Sequence, residues 1–101
     1  MRAGLIQASA SENLQENLKR TTSLLKEAAE QGAELVCLQA CFKTWFFAKR
    51  INPNDQALAE PLYGPSITHI RDAAARQKVH VIAPFYEKAM SGERYNAAVL
   101  I

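Results

Sequence analysis

The stretch Glu34-Leu-Val-Cys-Leu-Gln-Ala-Cys-Phe-Lys43, ELVCLQACFK, holds four consecutive apolar residues, Leu35 to Leu38, followed by an abrupt change of character. A short continuous apolar run suits a strand covered on both faces rather than one that alternates between core and water. The residues before it supply a crossover. Leu14, Leu18, Thr21 or Thr22, Leu25, Ala28 and Ala29 recur at intervals of three and four, while Glu16, Lys19, Lys26 and Glu30 fall on other faces, so the spacing predicts an amphipathic helix. Ser9-Ala-Ser-Glu12 has the Ser-x-x-Glu form of a capping box and sets the expected start, and Gly32 sets the end. Upstream, Arg2 to Ala8 contains the apolar run Ala3 to Ile6 and reads as a first strand. Strand, helix and strand joined by a crossover of this length pair in parallel.

Working outward in the other direction, periodicity fails from Phe42 to Gly64, where Asn52-Pro-Asn-Asp55 and Glu60-Pro-Leu-Tyr-Gly-Pro65 mark turns. Irregular loops of this length tend to carry function. Pro65 suits the first turn of a second helix ending near Gln77, with Ile67, Ile70, Ala73 and Ala74 as its buried stripe. Val79 to Tyr86 reads as a third strand, Met90 to Glu93 as a turn and Tyr95 to Ile101 as a fourth strand that closes a hairpin. The expected class is α/β, with about four strands and two main helices in a single domain over residues 1–101. Ala97 to Ile101 is apolar without a turn or polar tail, which predicts a chain cut within a larger fold.

Composition excludes more than it identifies. With 49% hydrophobic and 22% charged residues in 101, the chain is an ordinary globular protein rather than a disordered one. A formal net charge of +2 gives no basis for binding nucleic acid or an anionic membrane. No apolar stretch approaches the roughly 20 residues of a membrane span, and the amino terminus lacks the apolar centre of a signal peptide, so a cytoplasmic location is expected. The chain has two cysteines, Cys37 and Cys41, separated by three residues that hold them apart if extended; both are read as free thiols. Two distant histidines complete no zinc pattern with them, and neither a metal nor a cofactor is expected.

The wording of the elements resembles one family. MRAGLIQAS with NLQENL, GAELVCLQ followed by Phe42, AEPLYGPS before a helix, VHVIAPFYEK and RYNAAVLI together are similar to the amino-terminal part of a carbon–nitrogen hydrolase of the nitrilase superfamily, with wording nearest the N-carbamoylputrescine amidase and β-ureidopropionase branch. The resemblance implies the amino-terminal part of an αββα sandwich and hydrolysis of an amide, carbamoyl amide or nitrile by a cysteine nucleophile, a glutamate base and a lysine. The glutamate of the family follows the second strand, after a residue matched here by Gln39. That position is Ala40, and no intact catalytic residue is expected in the chain. Lysine and nucleophile lie beyond Ile101 in the family, so neither Cys37 nor Cys41 takes the nucleophile's place.

The loops that adjoin the family's site are matched by Cys41, Phe42, Trp45, Glu60, Tyr63 and Asn96, which are the expected pocket-lining residues. A thiol must lose its proton to attack a carbonyl or nitrile carbon, and a carboxylate both takes that proton and activates the water that hydrolyses the thioester. Alanine does neither. Expected partners are therefore a small amide, carbamoyl or nitrile ligand and either another copy of the chain or a complementing carboxy-terminal segment. Two other readings stay open: half of a two-chain amidase, and a binding or structural protein without turnover. In the folded chain Cys41, at the strand's end, should react with a maleimide before Cys37, in its middle; equal rates by mass spectrometry would contradict that placement.

Overall fold

The computed structural model describes residues 1–11, 13–39 and 59–101. Its elements follow the chain as β1 (Ala3–Leu5), α1 (Leu14–Glu30), β2 (Leu35–Cys37), α2 (Pro65–Gln77), β3 (His80–Lys88) and β4 (Arg94–Leu100). The strands form one sheet in the order β1-β2-β3-β4, with β1, β2 and β3 parallel and β4 antiparallel to β3. Two successive right-handed crossovers that advance in one direction place their helices on the same face of a sheet. Accordingly α1 and α2 pack against each other, with α1 over β1 and β2 and α2 over β3.

Alternation along the strands shows which face they cover. Val36 is fully buried while Leu35 and Cys37 are half-buried, and Val81, Ala83 and Phe85 are buried while Ile82, Pro84 and Tyr86 are half-buried. The buried set meets Leu18 and Leu25 from α1 and Ile67, Ile70, Ala73 and Ala74 from α2 in one core. On the opposite face Leu5 is 84% exposed and Leu100 69% exposed. The helix-covered half is complete. The other face has no covering layer among the described residues.

Helix α1 begins later than the capping box at Ser9 predicts. Asn13 is the N-cap, its Oδ1 accepting from the Glu16 amide at 3.1 Å, and that competing cap lies nearer to the apolar stripe. Ser11 is used differently: its amide donates to Asn17 Oδ1 at 2.9 Å, and Asn17 Nδ2 donates back to the Ser11 carbonyl at 2.8 Å. Of the two threonines left open by the pattern, Thr21 faces the core, whereas the Thr22 hydroxyl bonds to the Leu18 carbonyl at 3.1 Å.

The far end of α1 agrees with the reading. Gly32, at φ +94°, donates to the Ala29 carbonyl at 3.0 Å and Ala33 donates to the Ala28 carbonyl at 3.1 Å, the paired bonds of a Schellman motif. Arg2 Nη1 donates to the Gln31 carbonyl at 2.8 Å, placing a cation at the negative end of the helix. It also ties β1 to the turn that delivers β2.

Helix α2 has the bounds expected from Pro65 and Gln77, and ends on Lys78 in the left-handed region at φ 56°. Strand β3 runs two residues past the expected Tyr86, because Glu87 and Lys88 pair with Tyr95 and Arg94 and lengthen the hairpin. Two substitutions probe this architecture in urea unfolding. Leu25→Ala, at a fully buried site, should cost about 2–5 kcal/mol. Lys78→Gly removes a left-handed side-chain penalty and should raise stability by up to about 1 kcal/mol.

Candidate functional site

Ligands of parallel α/β sheets bind outside the carboxyl ends of the strands, where neighbouring chains part. Along one edge of β3 the described residues attach at two separate levels. The Leu38 amide donates to the Ile82 carbonyl at 3.0 Å, the last bond of the β2–β3 ladder among the described residues. The edge is taken up again by Glu60, whose amide donates to the Tyr86 carbonyl at 3.0 Å and whose carbonyl accepts from the Lys88 amide at 2.8 Å. Between these two attachments lies Pro84.

Residues of β3 alternate in the direction of their main-chain groups, so Pro84 faces the same edge as Ile82 and Tyr86. A proline inside a strand lacks the amide hydrogen that a neighbouring strand would need, and is tolerated where that neighbour has departed. The apolar run of β2 stops at Leu38, and Pro84 lies on β3 between the levels of the two described attachments.

Each of the two attachments has a defined support. On the β2 side, Gln39 Oε1 accepts from the Ala8 amide at 2.7 Å. On the other, Glu60 Oε1 accepts from the Ser66 amide at 3.0 Å and its Oε2 accepts from the Ser66 hydroxyl. Helix α2 has no side-chain cap from its own N-cap, Gly64, so this carboxylate serves the helix start and meets the positive end of its dipole. A Cβ at Gly64 would come within 2.9 Å of the Pro61 carbonyl and 3.1 Å of Glu60 Oε1, so the turn that brings Glu60 to the helix needs glycine for space.

The expected pocket residues fall into two groups. Ala40, Cys41, Phe42 and Trp45 lie outside the described residues. Glu60, Tyr63 and Asn96 are described. Glu60 pairs with Glu87 and Asn96 with Tyr86, which puts the two on opposite sides of β3 at adjacent levels, roughly 10 Å apart at two strand spacings. Tyr63 is 78% exposed and borders a separate hollow of about 410 Å³ with Ile67, Arg71 and Leu100. Beside Asn96, the Tyr95 hydroxyl donates to Glu93, and this bond holds its phenol above the usual tyrosine range, with burial and the Glu87 charge acting in the same direction.

Cys37 is a half-buried free thiol on β2, and His69 and His80 are exposed on α2 and at the start of β3. Among the described residues no three His, Cys, Asp or Glu side chains group as metal ligands, and no helix is long and apolar enough to cross a membrane. The sequence reading missed Gln39, Ser66 and the buried Asn17 as supports. These amide and hydroxyl ties depend on residues brought together only by folding.

The carbon–nitrogen hydrolase profile matches residues 2–101. Among curated relatives, the omega-amidases NIT2 of Bos taurus and Xenopus tropicalis are 31% and 30% identical over 99 residues, covering 98% of this chain and 34% of theirs. Among solved structures, the carbon–nitrogen hydrolase of Helicobacter pylori G27 superposes with a TM-score of 0.89 at 26% identity, over 98% of this chain and 34% of that one. Nit3 of Saccharomyces cerevisiae shares the fold, with a TM-score of 0.82 at 18% identity over 98% of this chain and 38% of its own. The chain thus spans about a third of the length of the curated relatives it matches. The two curated relatives are omega-amidases, so the branch expected from the wording, that of N-carbamoylputrescine amidase and β-ureidopropionase, is not specifically supported.

The support role of Glu60 is open to measurement. Glu60→Ala deprives the Ser66 amide and hydroxyl of their acceptor and should lower stability by about 1–3 kcal/mol, with faster hydrogen exchange at Ser66. An unchanged unfolding midpoint and unchanged exchange at Ser66 would remove that role.

Proposed function

We propose, from the premise that this chain belongs to the carbon–nitrogen hydrolase family, that it is the base-bearing portion of an amidase-type hydrolase in which the base itself has been replaced by Ala40. What supports the reading is the family match over residues 2–101 together with the fold, in which β2 ends at Cys37, two residues before Gln39, at the carboxyl side of a parallel pair. The substrate class we favour is an amide of the kind omega-amidases act on, ahead of a carbamoyl amide or nitrile, because omega-amidases are the relatives found.

In the reaction that family membership suggests, a cysteine thiolate adds to the amide carbon, the amine leaves with a proton, and water then hydrolyses the thioester. The base handles a proton in each half: it takes one from the thiol, passes it to the departing amine, and takes another from water. A methyl group at position 40 accepts no proton. The lysine and cysteine come, in this reading, from residues outside these 101, so the 101-residue chain by itself does not turn substrate over. A ligand-binding protein without turnover is the second reading, favoured by the same alanine.

The two separate in a complementation experiment. The chain and its Ala40→Glu variant are each combined with a carboxy-terminal segment from an active relative, and ammonia release is measured from terminal carboxamides and carbamoyl amides. Restoring the carboxylate should raise turnover by about 10²- to 10⁴-fold over the unmodified chain. Equal turnover would place the base elsewhere, and robust turnover by the unmodified chain alone would overturn the reading.

A further inference from the structure

Strand β4 leaves one edge of its main chain without a neighbour among the described residues. The Val81 amide donates to the Ile101 carbonyl at 3.1 Å and the Ile101 amide donates to the Val81 carbonyl at 2.8 Å, so residues 81 and 101 exchange both bonds. Main-chain groups alternate in direction along a strand. Ala97 and Val99 therefore bond to β3 as Ile101 does, whereas the amides and carbonyls of Asn96, Ala98 and Leu100 point away from it. Edges that stay single are usually blunted by a bulge, a proline or a charge. From Tyr95 to Ile101 there is no charged residue and no proline, and the register with β3 runs unbroken from Arg94 opposite Lys88 to Leu100 opposite Ile82.

The helix side of the same edge is unfilled as well. Ile67 and Arg71 of α2 line, together with Val99 and Ile101, the hollow of about 410 Å³. A strand laid along β4 places every second side chain on that side. The strand that fits is β4 itself. Antiparallel pairing of two copies about Ala98 sets Ala98 opposite the partner's Ala98 and Asn96 opposite the partner's Leu100, and all of these residues present outward main-chain groups. The same register sets Val99 opposite the partner's Ala97 and Ile101 opposite the partner's Tyr95. Arg94, the one charged residue of β4, falls outside the paired segment, so no like charges meet. Tyr95 donates its hydroxyl to Glu93, which makes this end of the strand acidic, and it arrives where the hollow holds Arg71. Two-fold symmetry repeats that match at the other end. At the opposite edge of the sheet, β1 offers only three residues, with Arg2 beside them.

We propose that the 101-residue chain pairs with a second copy of itself through β4, antiparallel about Ala98, so that two sheets become one. The pairing does not depend on the hydrolase reading, and none of its tests involves turnover.

Strand parity supplies a selective variant. Proline at position 98 removes an amide that points to the open edge and leaves the bonds to β3 intact. The unmodified chain should sediment as a monomer–dimer equilibrium between about 10 μM and 1 mM, with hydrogen exchange at Asn96, Ala98 and Leu100 slowing at least about tenfold toward the higher concentration. The Ile101 amide, bonded to Val81, should be protected throughout. Ala98→Pro should raise the dimer dissociation constant at least about tenfold, because both donors at the axis are lost, while Ile101 keeps its protection. Should Ala98→Pro unfold, Ala98→Lys decides, since it sets two like charges face to face at the axis: weakened pairing supports the proposal, and a dimer as tight as that of the unmodified chain refutes it. A monomer throughout the range, growth beyond the dimer, protection at Ala3 and Leu5 in place of β4, or a folded Ala98→Pro dimer of undiminished affinity would each overturn it.

Discussion

Leu35, Val36 and Cys37 pair with β1 on one side and β3 on the other, and this short double ladder is the constraint on which the remaining architecture rests. A central strand buries its main-chain polar groups, which must then be bonded on both sides. Val36 is fully buried beneath the helices, so a shift of one residue would turn it to the open face and bring half-buried neighbours into the core. The same register sets where β2 ends. Among the described residues Leu38 makes the last bond of β2's side to β3, Gln39 makes the side-chain bond to Ala8, and Glu60 bonds the same edge of β3 further along.

The parts of this arrangement that depend on local pattern were legible in advance. Pro65 and the spacing of Ile67, Ile70, Ala73 and Ala74 identify α2 with its bounds, because proline at a helix start and a stripe at intervals of three and four are local signals. The start of α1 was not, since Ser9 and Asn13 both have capping chemistry and only the packed structure shows which one the helix uses. Asn17 illustrates a deeper limit. A polar residue one position from the apolar stripe reads as a surface side chain, yet it is buried because Ser11 satisfies its oxygen and its nitrogen.

For the site, the sequence showed the residue types and the structure showed their supports. Glu60 was legible as a member of the loop before α2, but its bonds to Ser66 and its pairing with β3 arise from the return of the chain to the edge of β3. Ala40, Cys41, Phe42 and Trp45 fall outside the described residues, so their expected place beside the pocket stands on the family resemblance. Family membership and catalytic competence are distinct properties here. Packing residues maintain the sheet whatever occupies position 40, whereas proton transfer requires one functional group at that position.

The strand order β1-β2-β3-β4 repeats the order of the chain, and this has a kinetic consequence. Each new strand finds its partner in the strand made just before it, so no early segment must wait with an unmatched edge for a distant one in order to complete this sheet. During synthesis, which proceeds from the amino terminus at roughly 5–20 residues per second, β1, α1 and β2 are available to dock before β3 has emerged, and the hairpin of β3 and β4 then adds at one side. Loop closure is paid in short instalments. A sheet assembled in this order needs no strand held in reserve while the next is made.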